Sequence, residues 1–183
     1  MKFGNWKIET IGTVLPEEFY NLIEANRNHI RKSFPITLSN CRDVKSTAKF
    51  LAESADNEAW KENYYFYIRN TETKILIGYI VIKNIETDIA KCELAYFIDK
   101  DFEGKGITTK AAGNTLVFCF GELKMNKVTI RTSTINAASQ QIALKHGFAQ
   151  EGILRQEFKN GEGILEDVLY FGLLKSDYQA NFN

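Results

Sequence analysis

Gly104-Lys105-Gly106 lies between a β-branched, aromatic run that ends near Asp99 and an apolar-periodic stretch that begins at Ile107. Without a Cβ, each glycine lets the chain turn tightly and aim several N–H groups at one point. A helix that starts there adds its unpaired first-turn amides and the positive end of its dipole. Such a turn suits a phosphate or diphosphate, to which Lys105 could add a charge. It is not a Walker loop, because Lys105 is followed by glycine rather than Ser or Thr. Nor is it a dinucleotide fingerprint, because the third glycine is absent. By itself it also reads as an ordinary glycine turn. Further on, Asn136 precedes a short helical pattern, with Ser139 three residues later, as in a helix cap. Cys119 could carry an acyl group, but it falls on a helical apolar stripe and reads as core. His146 follows a helix and reads as a C-terminal cation. The chain has two histidines and three scattered cysteines, Cys41, Cys92 and Cys119. No pair of them has zinc spacing, so no metal is expected.

Around these residues the periodicity changes several times along the chain. Trp6–Thr10 reads as an edge strand. Leu15, Phe19, Leu22, Ile23, Asn26 and Ile30 recur at helical spacing, with Pro16 in the first turn and Phe34-Pro35 as the break. A second helix runs from Asp43, as cap, to Trp60. Three strands follow at Tyr64–Arg69, Ile75–Ile85 and Ile89–Asp99, joined by short turns into an antiparallel meander. A helix over Gly106–Leu123, a strand over Val128–Thr134 and a short helix over Asn136–His146 come next. Two strands, Phe148–Lys159 and Ile164–Leu174, close the chain around the turn Asn160-Gly161-Glu162-Gly163. Strand–helix–strand in the middle demands a parallel pair within a mostly antiparallel sheet. The expected fold class is α+β, mixed α/β layers with helices on both faces.

At 183 residues and 20.9 kDa the chain fits one domain, taken as 1–183, and can bury a full core without staples. Lys+Arg and Asp+Glu both number 23, so no cationic excess favours nucleic acid. Met1–Thr10 lacks an apolar signal core, and the longest apolar run, Ile75–Ile82, is too short to cross a bilayer. Free thiols fit a reducing compartment, so a cytoplasmic location without membrane contact is expected.

Several segments carry a family resemblance. Glu93-Leu94-Ala95-Tyr96-Phe97-Ile98 and Phe102-Glu103-Gly104-Lys105-Gly106-Ile107 resemble the coenzyme A segment of the GCN5-related N-acetyltransferases. Asn136-Ala137-Ala138-Ser139, Lys145-His146-Gly147-Phe148 and Glu151-Gly152 resemble the superfamily's second signature. Asp167-Val168-Leu169-Tyr170-Phe171 and Leu173-Leu174 resemble the RimJ/RimL branch, which acetylates ribosomal-protein N-termini. Three motifs in the right order are far more specific than one. There are departures. Asp101 stands where the loop commonly opens with Gln or Arg. Ala143 replaces the tyrosine that many members use as acid, and Arg131 stands where some carry a carboxylate.

The resemblance implies acetyl-CoA as donor and a central parallel pair splayed to hold it. The N–H groups of Glu103, Gly104, Lys105, Gly106, Ile107 and Thr108 would receive the diphosphate. The strand end at Phe97 and Ile98 would pair with the pantetheine arm, and Asn136 would touch it. Ser139 matches the serine thought to face the sulfur, and Glu93 is the candidate acceptor of the amine's proton, through water. His29, Arg31 and Phe34 lie where relatives place substrate-facing loops, although a solvated helix end also explains the first two. At pH 7 about a tenth of an α-amine is neutral, against roughly a few in ten thousand for lysine, so a site with no strong base favours N-termini. The expected acceptor is a protein N-terminus. A small amine such as a polyamine, antibiotic or amino-acid derivative is the alternative, and a coenzyme-binding regulatory module a third reading. A homodimer fits any of these.

Overall fold

In a computed structural model describing residues 1–180, the chain forms β1 (Lys2–Phe3), β2 (Trp6–Thr10), α1 (Pro16–Ala25), α2 (Arg27–Ile30), α3 (Pro35–Asn40) and α4 (Val44–Ala59). There follow β3 (Tyr64–Asn70), β4 (Leu76–Glu86), β5 (Lys91–Ile98), α5 (Ile107–Gly121), β6 (Lys127–Ser133), α6 (Ala137–Lys145), β7 (Ala149–Lys159), β8 (Leu165–Leu174) and α7 (Lys175–Ala180). The strands make one sheet in the order β1-β2-β3-β4-β5-β6-β8-β7. Every neighbouring pair is antiparallel except β5–β6, the parallel pair that the strand–helix–strand pattern requires.

Alternation along the strands divides the core in two. Tyr65, Tyr67, Tyr79, Val81 and Phe97 face α1–α4, where Phe19, Ile23, Ile30 and Leu51 are buried. Ile68, Ile80, Leu94 and Ile130 face α5 and α6, against Ala111, Leu116, Cys119 and Ala143. Cys119 is fully buried, and contact with Cys92 and burial hold its thiol well above the ordinary value. Near the sheet's first edge, Arg69 holds Glu9 at 2.7 Å and Glu18 at 2.7 Å, tying α1 to β2 and β3.

Four elements differ from expectation. The first helix ends at Ala25, where the buried Asn26 side chain donates to Leu22 O at 3.0 Å and the Asn26 backbone N–H bonds Ile23 O instead. Pro35 starts α3 rather than leaving a loop, since proline suits a first turn. β1 and α7 are too short to show periodicity. Asp43 does cap α4, accepting from Ser46 N at 2.7 Å.

Candidate active site

β5 and β6 pair at only three positions, Lys91↔Lys127, Cys92↔Val128 and Glu93↔Thr129. Beyond them β5 continues along β4 to Ile98, and β6 continues along β8 to Ser133. The strands therefore diverge, and Leu94–Ile98 have no partner strand on the β6 side. A cavity of about 940 Å³ opens there, lined along β5, β6, the loop before α5, the start of α6 and the β7–β8 hairpin. Its size suits a large organic ligand.

At one end the chain leaves β5 through a 3-10 turn, Lys100–Phe102. Asp99 Oδ1 accepts from Asp101 N at 2.9 Å. Buried Asn26 clamps the same turn: its Nδ2 donates to Asp99 Oδ2 at 3.1 Å, and its Oδ1 accepts from Lys100 N at 2.9 Å. Gly104 and Gly106 have φ of 70° and 71°, the left-handed region that glycine adopts freely. Both line the cavity, and an added Cβ at either would meet no protein atom within 4 Å. No side chain caps α5, and its first turn holds no acidic residue. Its ladder begins with Lys110 N donating to Gly106 O at 3.1 Å. Free first-turn amides beside open space fit the diphosphate of a coenzyme A.

The side chains of the loop behave differently from its backbone. Lys105 Nζ donates to Asp101 O at 2.7 Å and lies 4.7 Å from the Phe102 ring centre. Neither Lys105 nor Asp101 lines the cavity. Glu103 lines it, and its carboxylate meets His29 Nε2 at 3.1 Å. His146 anchors the far side of the loop, its Nε2 lying 2.8 Å from Thr109 O.

On the α6 face, Asn136 Oδ1 accepts from Ser139 N at 3.1 Å, the cap that the spacing predicts. Ser139 still lines the cavity. Its Oγ lies 3.3 Å from the hydroxyl of Tyr96, which reaches across from β5. Burial pushes the Tyr96 phenol up to about 12, with the Ser139 bond opposing it. Ala143 is fully buried, away from this chemistry.

On the opposite face, Glu93 is 6% exposed and crowded with donors. Arg131 Nε reaches its Oε2 at 2.8 Å, Asn84 Nδ2 donates to the same oxygen at 2.8 Å, and Lys83 Nζ lies 3.3 Å from Oε1. Arg131 also meets Glu157, more loosely, at 3.6 Å. Glu157 enters the cavity from a bulge in β7, where the register with β8 shifts between Leu154 and Phe158. Gln156 turns there with φ 52°, and its N–H donates to Asp167 Oδ1 at 2.9 Å. Phe34 lines the same side, 5.1 Å from the Phe97 ring. Arg31 does not line it; its guanidinium is held by Glu162 of the β7–β8 turn.

Of the residues singled out from sequence, Glu93, Phe97, Ile98, Glu103, Gly104, Gly106, Ile107, Thr108, Asn136, Ser139, His29 and Phe34 all meet at this cavity. Lys105 and Arg31 turn to internal partners instead. Asn26, Tyr96 and Glu157 were not legible as site residues. Alternation from Leu94 and Ile98 could have put Tyr96 on the α6 face. The bulge hides the direction of Glu157, and nothing local marks Asn26 as a clamp. Among the described residues, no group of three or more His, Cys, Asp or Glu side chains could hold a metal ion. Among them too, no helix is long and apolar enough to cross a membrane.

Comparison with known proteins agrees with this geometry. Residues 15–149 match the acetyltransferase (GNAT) domain family. YdaF of Bacillus subtilis (strain 168), whose name carries a provisional ribosomal N-acetyltransferase assignment, is 35% identical over 105 residues. That match spans 57% of this chain and 57% of YdaF, just over half of each. The ribosomal-protein-S5-alanine acetyltransferase of Vibrio fischeri superposes with a TM-score of 0.85 at 17% identity, covering 97% of each chain. RimL, a ribosomal L7/L12 α-N-protein acetyltransferase solved with coenzyme A, gives 0.84 at 15% identity, covering 94% of this chain and 95% of that one. Identities this low establish a shared fold. The match over residues 15–149, with the splayed parallel pair and the uncapped α5 before it, makes this chain a member of the acetyltransferase (GNAT) domain family.

Proposed function

We propose that this chain moves the acetyl group of acetyl-CoA to the α-amine of a protein or peptide N-terminus, of the ribosomal-protein type, by direct transfer with both substrates bound. The observation that carries the reading is the side of β5 from Leu94 to Ile98 that has no partner strand, lying between the Glu93–Arg131–Glu157 group and the uncapped start of α5. The likeness to ribosomal-protein acetyltransferases supports the acceptor class.

Acetyl-CoA, when bound, supplies the acetyl group as a thioester. In this reading the amides of residues 103–108 hold its diphosphate, and the free edge at Phe97 and Ile98 holds the extended pantetheine arm as an added strand. Ser139 gives its hydroxyl proton to the departing sulfur; a thiol near pKa 8.5 needs only a weak acid. Glu157, the less engaged carboxylate, takes the amine's proton through water, while Glu93 fixes Arg131 between them. His29 and Phe34 border the acceptor. The reading extends to a single domain over 1–183 acting in the cytoplasm, where the three buried thiols stay reduced. A homodimer is the assembly to look for, because β7 leaves one outer edge of the sheet uncovered.

A screen of acetyl-CoA consumption tests this, run over peptides with varied N-termini and a panel of polyamines, aminoglycosides and amino-acid amides. Turnover on α-amine peptides, with mass spectrometry placing the acetyl group on the first residue, is the expected result. Turnover confined to small amines, or to lysine side chains, would overturn the acceptor class.

A further inference from the structure

Tyr96 and Ser139, both lining the cavity, present two hydroxyls to each other, one from β5 and one from the first turn of α6. Ser139 cannot serve as an acid unless its single proton points at the sulfur. A free hydroxyl rotates, and nearby oxygens compete for its proton, although the Asn136 carbonyl one turn back already accepts from Gln140 N at 3.2 Å. A group that donates to the serine oxygen cannot also accept its hydrogen, which is then left for the ligand. Tyr96 OH lies 3.3 Å from Ser139 Oγ and 3.5 Å from Ser139 O, so it sits against both oxygens of the same residue.

We infer that Tyr96 is a positioning residue, whose hydroxyl donates to Ser139 Oγ and so turns the serine proton into the cavity. This rests on the proposed role of Ser139 in the transfer. Burial keeps the phenol protonated through the working range of pH, so it remains a donor there. Tyr96 cannot swing away easily. It lies on the same strand face as the buried Leu94 and Ile98, at the edge of the α5–α6 core. As the carbon–sulfur bond breaks, the serine proton passes to sulfur and the Tyr96 proton follows along the hydrogen bond to the serine oxygen, because a phenol is a stronger acid than an alcohol; the charge rests on the phenol until solvent returns a proton.

Two measurements test the inference, one with turnover and one without. In a double-mutant cycle, Tyr96→Phe should lower kcat about tenfold with KM for acetyl-CoA held within about twofold. In the Ser139→Ala background the same change should do nothing further, because the group it positions is gone. Equal losses in both backgrounds, or no loss with Tyr96→Phe alone, would overturn the inference and leave Ser139 as the acid. An unchanged rate for Ser139→Ala would remove the serine itself, and the inference with it. The second measurement uses Ser139→Cys without any substrate. A tyrosine donating to that sulfur favours the thiolate. Adding Tyr96→Phe should then raise the thiol's alkylation pKa by about half a unit or more. An unchanged alkylation profile would mean that the phenol does not donate at that position.

Discussion

Glu93 and Glu157 reach the same arginine, yet their surroundings assign them different work. Glu93 is buried, and three donors occupy its oxygens. Removing its charge leaves Arg131 with only the looser Glu157 pair and Lys83 without its carboxylate. Glu93→Gln is therefore expected to cost about 1–2 kcal/mol in a denaturant melt, less than a fully buried pair because both cations reach solvent. Glu157 is half-exposed and held at 3.6 Å. Glu157→Gln should leave the melt within about 0.5 kcal/mol and lower kcat on an α-amine peptide by roughly tenfold to a hundredfold. The reverse pattern, an inactive and unstable Glu157→Gln beside a silent Glu93→Gln, would return the proton-accepting role to Glu93.

In the proposed function the loop before α5 binds through plain backbone. Asn26 and Asp99 fix its entry, His146 fixes the helix that follows, and Gly104 and Gly106 supply the left-handed turns. Gly104→Val would put a β-branched side chain at φ 70° and push it into the cavity. Titration calorimetry should show coenzyme A binding weakened by about tenfold or more; equal affinity would contradict the role given to this turn. At this scale the sequence was informative where physics is local. Glycine turns, the Asp43 and Asn136 caps and the β5–α5–β6 crossover all follow from neighbouring residues. What the sequence hid depends on distant ones. Lys105 folds back because Phe102 and the Asp101 carbonyl sit within its own reach. Arg31 turns away because Glu162, 131 positions later, offers a carboxylate. Asn26 reads as one more polar residue on a helix until Asp99 is brought against it.

Across the whole molecule, Arg69 joins β3 to β2 and to α1 through two carboxylates. Arg69's hydrogen bonds hold the Glu18 carboxyl below its ordinary value despite burial, and at Glu9 burial pushes upward but Arg69 and Lys7 outweigh it. Carboxyls depressed on folding stabilise the native state above their ordinary values and lose that contribution as pH falls through the depressed ones. Arg69→Met should therefore cost about 2–4 kcal/mol at pH 7 and much less near pH 3, read from urea melts at both. A penalty that does not change with pH would mean that packing, not charge, is lost. The three-pair seam between β5 and β6 has a consequence of another kind. Unsatisfied strands normally invite clumping, and proteins guard their outer borders with charge. Here the unsatisfied stretch is indoors, walled by helices and by its own divergent neighbour. A small extended molecule can slip in beside it, while the strand of another folded protein cannot, so the chain keeps an adhesive surface without the hazard of sticking to its own kind.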